Sequence, residues 1–487
     1  MKWVGSTVGV CKNFYFHSSM KKKPIVAIIG AGPAGITAAK KLQERGCDYF
    51  LFEKDAKVGG MSKTIQLWGR NVDLGPHRFF SSDVRVNKIW LDAVDGDYHM
   101  VNRITRIFYK NKFYSYPLKA IEALSKLGVL TSVLCVLSLL KSKMTRKDLT
   151  TFEGWVINKF GRKLYSIFFK SYSEKLWGIN GDELDSDFAA QRIKNFSLIE
   201  AIKTALLGND KKHKTLVDEF AYPSKGAGHV YEKMLQTLEA DKVYLNTGIS
   251  SLKVSVDKIQ LTDDKGFYYD ADYVISTMPL TNLITLLDAP HNVIQNSNKL
   301  TFRNTILVYV KVNKTEIFID QWLYIHSNEI LTGRITNFNN WDTDDVFNET
   351  ILCLEYWCND EDQIWKADED YLGNLAAKDL ETANLVEPEN IVVTSVYRVP
   401  KCYPVYKRGY KNHLKVISNY FNKNHDRLIP IGRYGSFKYN NQDHSILMGD
   451  LAVKKILDDK TIDLWNLNTD YTYQEESRIT ETGLVTD

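Results

Sequence analysis

The sequence predicts an α/β protein: a parallel-sheet domain assembled from discontinuous segments, a helical insertion and an antiparallel β-sheet domain. Three observations predict it. Residues 26–55, "VAIIGAGPAGITAAKKLQERGCDYFLFEKD", pass from a β-branched run through a glycine-rich turn and a helical pattern to a second strand. Short strand-like runs return at 242–244 and 273–276, and again in 427–435, which ends "IPIGRYG". Between 290 and 400 the pattern alternates, as in "NTILVYVKV" and "ETILCLEYW".

In the first unit, Ile25–Ile29 is the strand, Ile36, Ala39 and Leu42 mark one helix face, and Tyr49–Glu53 is the second strand. Strand, glycine turn, helix and parallel strand make a Rossmann-type dinucleotide-binding unit. Gly30 permits the tight turn, Gly32 lets the backbone approach a pyrophosphate, and Gly35 lets helix pack on strand. The helix start at Ala34 offers free N–H groups and the positive end of the dipole to that pyrophosphate. Glu53, with Lys54 beside it, is placed to accept hydrogen bonds from a ribose diol. A basic residue is more usual where a 2′-phosphate is held. Gly59, Gly60 and Met61, in "KVGGM", resemble the extended signature of large flavoproteins, so the expected cofactor is FAD.

The remaining elements follow in order. Residues 1–22 read as an N-terminal extension without the apolar core of a secretion signal, and Met20 reads as a start directly before the fold. The FAD-binding domain takes 23–95, 225–289 and 401–460. Residues 96–224 form the helical domain, with amphipathic runs around 117–141, 152–176 and 197–207. Residues 290–400 form the antiparallel sheet domain, and 461–487 a polar, aromatic tail. The run 127–140, "LGVLTSVLCVLSLL", is short for a membrane span. It is expected as a buried helix, with membrane contact as the less favoured reading. No internal repeat is present.

Bulk properties narrow the functions. With 487 residues, 44% apolar and 25% charged, the chain is ordinary globular material, and a net charge of +4 is too small to argue for a nucleic-acid partner. Six cysteines form no CxxC pair and have no zinc-ligand spacing, which fits reduced thiols, a cytoplasmic location and no metal site.

Five later stretches carry the chemistry: "DLGPHRFFS" (73–81), "FYSYPL" (113–118), "FFKSYSEKLWG" (168–178), "TGRITNF" (332–338) and "GRYGSFKYNNQDHS" (432–445). Together and in this order they resemble the UDP-galactopyranose mutase family, within the amine-oxidase and protoporphyrinogen-oxidase-like flavoproteins. The resemblance implies interconversion of pyranose and furanose forms of a nucleotide sugar, for polysaccharide or glycoconjugate assembly. In that family N5 of reduced FAD attacks the anomeric carbon. It implies Arg334 and Arg192 as cationic forks for the departing diphosphate, and His77 near the flavin N5 region. Tyr116, Tyr324, Tyr403 and Tyr439 would hold the diphosphate or lie over the flavin, and Trp177 would stand beside sugar and flavin. Gly75, Pro76, His77, Gly432, Arg433, Asn441, Gln442 and Ser445 complete the cofactor set, with Arg433 stabilising the reduced ring. The implied partners are a nucleotide-sugar substrate and NADPH or another reductant; the oligomeric state stays open. Arg78 replaces the family's usual apolar residue after the histidine, and Ser173 stands where longer members tend to have an amide. No counterpart of the uracil-stacking aromatic is evident in 195–215. The competing reading is an FAD-dependent oxidoreductase of the protoporphyrinogen oxidase, amine oxidase or desaturase type.

Overall fold

The computed structural model describes residues 23–81, 83–145, 147–188, 219–341 and 347–467, and the backbone of Arg478–Thr480 and Gly483–Val485. A five-stranded sheet lies in the order Leu428–Pro430, Tyr273–Ser276, Val26–Ile29, Tyr49–Phe52 and Val243–Tyr244, with every pair parallel. Both faces of Val26–Ile29 are covered, so its four side chains are buried and the strand reads as an unbroken apolar run. The late runs seen in the sequence are its partners: Val26 pairs with Tyr273 on one side and Tyr49 on the other.

The helix Pro33–Glu44 crosses this sheet. Proline stands in its first turn, Gly32 is its N-cap, and no side chain caps it, so its first N–H groups are left for a ligand. Ile36 and Leu42 are completely buried, worth about 1.5–3 kcal/mol each. The helix Gln442–Leu457 packs on it from the far end of the chain.

A seven-stranded sheet forms the roof, in the order Ile391–Pro404, Phe302–Val312, Thr350–Cys358, Arg334–Asn337, Trp322–Ile325, Thr105–Tyr109 and Lys112–Ser115. All pairs are antiparallel except Trp322–Ile325 with Thr105–Tyr109. The segment 96–224 is therefore not helical throughout. Its first part supplies two roof strands, and Tyr98–Asn102 pairs with Glu219–Pro223. These strands are four or five residues long, too short to show a period against the helical runs that follow. The helical part comprises Ala120–Leu127, Val129–Met144, Phe152–Leu164 and Lys170–Trp177; the run at 197–207 lies outside the described residues.

The apolar run 127–140 also departs from expectation. It is helical from Val129, after a break at Gly128 (φ +85°), but only Cys135, Leu139 and Ser142 of Val129–Met144 are buried, while Leu130 is 77% exposed. A uniformly apolar sequence hides which face packs, because both faces look alike. Among the described residues no helix is long and apolar enough to cross a membrane. The five described cysteines are free and buried.

Asp73 ties the first segment to the second. Its carboxyl accepts hydrogen bonds from Thr64 Oγ1 (2.5 Å), Tyr222 OH (2.9 Å) and the Ala227 N–H (3.0 Å). Complete burial nevertheless pushes its pKa up to about 7, against these three donors. The folded chain then holds a proton that the unfolded chain releases near pH 4, so this contribution to stability is lost as pH rises from about 4 to about 7. We expect chemical denaturation to show up to about 1.4 kcal/mol of lost stability per pH unit from this group, and Asp73→Asn to remove it. Equal slopes in both proteins contradict the assignment.

Candidate active site

A cavity of about 720 Å³ runs from the glycine turn to the roof. At one end lie Gly30, Gly32, Ala34, Glu53, Lys54, Gly60 and Met61; at the other lie His77, Tyr324, Arg334, Tyr403, Arg433 and Tyr439. Pro76, Gly432, Asn441, Gln442 and Ser445 also line it. Residues from all three FAD-binding segments and the roof thus converge on one cleft.

The glycine turn is built for backbone contact. Gly30 has φ +95°, and a Cβ at Gly35 would lie 1.9 Å from the Gly30 carbonyl oxygen. Gly59 donates its N–H to the Ala31 carbonyl (2.9 Å), and a Cβ on Gly60 would lie 3.1 Å from the Gly32 Cα. The two glycine turns therefore meet backbone to backbone beneath the helix start. Glu53 accepts from the Ala31 N–H (2.7 Å) and the Asp55 N–H (3.1 Å), which fixes a carboxylate at the edge of the cavity. Asn441 stands at the N-cap position of the Gln442–Leu457 helix without a side-chain capping bond, and Gln442 Oε1 accepts from Tyr231 OH (2.6 Å).

At the roof end, Arg334 and Glu355 face each other across neighbouring antiparallel strands. Nε and Nη2 of Arg334 donate to the two carboxylate oxygens at 2.5 and 2.6 Å, and Nη2 also reaches Tyr403 OH at 3.3 Å. Burial opposes the guanidinium charge, but Glu355 and Tyr403 more than offset it and raise the pKa further. The sequence reading made Arg334 a fork for a diphosphate. Its fork is instead occupied by Glu355, leaving Nη1 without a partner among the described residues. Gly75 lies under the same carboxylate: a Cβ there would come within 3.2 Å of Glu355 Oε1.

Arg433 is held differently. Its Nε donates to the Cys402 carbonyl and its Nη1 to the Asn440 carbonyl, both at 2.9 Å. Its guanidinium carbon stands 4.8 Å from the Tyr403 ring centre and 4.4 Å from that of Tyr439. The two rings stack at 5.6 Å. No carboxylate among the described residues pairs with it, so Arg433 brings an uncompensated positive charge to this end.

His77 Nδ1 lies 3.1 Å from the Gly75 carbonyl. Burial, then the neighbouring Arg334, lower its pKa to about 4. At neutral pH the ring is uncharged, Nδ1 donates to that carbonyl, and Nε2 is left as an acceptor. Burial pushes the Tyr403 phenol well above its usual range, so it remains a neutral hydroxyl.

Several expected residues do not line the cavity. Trp177 is buried behind it, edge-on to Tyr403 (6.3 Å) and Tyr439 (6.1 Å). Tyr116 packs on Tyr324 at 4.7 Å and stands one layer back. Gly35, Gly59 and Gly75 act through packing. Arg192 lies outside the described residues. Sequence reading missed Glu355, Trp322 and Tyr172. Glu355 had a signal: it is the one acid within the fully buried strand Thr350–Cys358. Trp322 lines the cavity beside Arg78, and Tyr172 meets Tyr324 edge-on at 5.6 Å; one aromatic among many gives no such signal.

A glycine cradle at a helix start, opening onto an antiparallel roof with a polar and aromatic wall, defines a dinucleotide-cofactor protein with its reactive end under the roof. The chain belongs to the flavin containing amine oxidoreductase family, whose model matches residues 140–422, more than half of the chain. A NAD(P)-binding Rossmann-like domain matches residues 28–92. The fold is shared with a crystal structure of reduced UDP-galactopyranose mutase, at TM-score 0.81 and 23% identity over 93% of this chain and 100% of that one. Protoporphyrinogen oxidase of Dictyostelium discoideum is 22% identical over 365 residues, covering 60% of this chain and 68% of the relative. A dTDP-fucopyranose mutase of Escherichia coli is 27% identical over 166 residues, covering 33% of this chain and 43% of the relative. The cradle fits the flavin that the family carries: the bare turns at Gly32 and Gly60 admit a pyrophosphate, and Glu53 stands at the cavity edge for a ribose.

Proposed function

We propose that this chain is a flavin-dependent nucleotide-sugar mutase that interconverts pyranose and furanose forms of a hexose, with FAD kept reduced by NADPH or another donor. The observation that carries the reading is the polar, cationic wall at the roof end: Arg433, unpaired with any carboxylate among the described residues, Nη1 of Arg334, and the hydroxyls of Tyr324, Tyr403 and Tyr439. When bound, reduced FAD would supply the electron-rich centre. The chain's own residues would hold the diphosphate, whose charge grows as it departs. Arg433 and Nη1 of Arg334 would neutralise that charge, and Tyr403 would donate a hydrogen bond without adding charge. His77, neutral above about pH 4, would present an acceptor at the reacting end and hold the Gly75 turn over Glu355. A cytoplasmic setting and a role in polysaccharide assembly complete the proposal.

The second reading, an oxidoreductase, draws on the oxidase relative and on the aromatic corner formed by Trp322, Tyr324 and Tyr172. Titration of the flavin spectrum separates the two. UDP and a panel of hexose and deoxyhexose nucleotides should perturb the absorbance of wild-type protein saturably. Arg334→Ala should keep its yellow colour and lose about 10²–10³-fold in mutase rate. No spectral response to any nucleotide, or an unchanged rate in Arg334→Ala, contradicts the mutase reading.

A further inference from the structure

The Val129–Met144 helix has two opposed faces. At about 100° per residue, Cys135, Leu139 and Ser142 fall together, on the buried side. Val129, Leu130, Val133, Leu137, Leu140 and Met144 occupy the opposite arc and are between 50% and 87% exposed. Scattered exposed leucines are ordinary, whereas a continuous stripe marks an interaction surface.

Lysines frame the stripe. Lys141 and Lys143 are exposed in the last turn, Lys126 ends the preceding helix, and Lys119 stands just before it. Residues 119–144 hold these four lysines and a single acid, Glu122, which is already paired with Lys126 at 2.6 Å. The helix is 16 residues long, about 24 Å, shorter than the roughly 30 Å hydrocarbon core of a bilayer. The stripe is aliphatic, without the Tyr, Trp and Arg anchors that dominate protein–protein contacts, and its rim is rich in the lysines those contacts avoid.

We infer that this face docks on an anionic lipid bilayer, the helix lying in the interfacial plane with its aliphatic side chains among the acyl chains and its lysines at the headgroups. Charge complementarity selects that partner: apolar burial gives adhesion, and the lysine frame favours an acidic leaflet.

The test is cosedimentation of the full-length flavin-loaded protein with phosphatidylcholine vesicles, with and without phosphatidylglycerol. Binding is expected to the anionic vesicles, at least about tenfold weaker to neutral ones, and reduced to the neutral-lipid level at about 1 M salt. Leu130→Asp/Leu137→Asp should abolish it, and Lys141→Glu/Lys143→Glu should weaken it at least about 25-fold. Both variants should keep their colour and melting temperature, since the altered side chains face outward. Absence of binding, or equal binding to both vesicles, overturns the inference. A dimer in sedimentation velocity that the leucine substitutions dissolve would show that a second copy covers the face. Loss of fold in the leucine variant would show that the chain itself does. Either result also overturns it.

Discussion

Glu355→Ala is expected to destabilise the folded chain by about 3–5 kcal/mol, read as a shift in the urea midpoint. Glu355 is buried in the Thr350–Cys358 strand and receives two guanidinium bonds from Arg334. Removing it leaves a desolvated cation with Tyr403 OH as its remaining hydrogen-bond partner among the described residues. The paired substitution Arg334→Leu/Glu355→Leu should recover most of that loss, since apolar residues commonly replace a buried ion pair at little cost. It should recover none of the mutase activity, because Nη1 goes with Arg334. The two variants together separate what the pair does for the fold from what it does for a diphosphate. A midpoint within about 1 kcal/mol of wild type for Glu355→Ala would contradict the pair's structural weight.

The second large effect is expected at Gly35. In Gly35→Val the first added carbon lands 1.9 Å from the Gly30 carbonyl oxygen and 3.3 Å from Ile28 Cγ2. Backbone on one side and a buried strand on the other leave nothing that can rotate away. The helix must lift from the strand, and with it the N–H groups of the glycine turn. The protein should purify without flavin and melt well below wild type. A yellow protein with normal flavin content would mean that the cofactor is held elsewhere.

How far the sequence carries depends on how local the signal is. The glycine turn at 30–35 was legible because one segment contains every part of it, and the return of strands at 243–244 and 273–276 followed from short apolar runs between turns. The convergence of 432–445 on that turn became legible only through resemblance, since nothing local in "GRYGSFKYNNQDHS" announces where it packs. The Arg334–Glu355 pair was not legible: its members are 21 residues apart and meet only through strand register. That Glu355 engages two of the Arg334 donors, while no carboxylate among the described residues pairs with Arg433, is likewise a matter of register and packing that no local run of residues announces. The outward stripe of Val129–Met144 was hidden for a different reason. A helix apolar on both faces carries no mark of which one is covered.

The most direct test of the mutase account compares reduced and oxidised protein on one nucleotide sugar. Anaerobic, dithionite-reduced protein should convert a UDP-furanose to its pyranose with no net change in flavin redox state, while oxidised protein stays inert. Turnover by the oxidised protein that bleaches the flavin and consumes oxygen, with no ring interconversion under reduction, would contradict it.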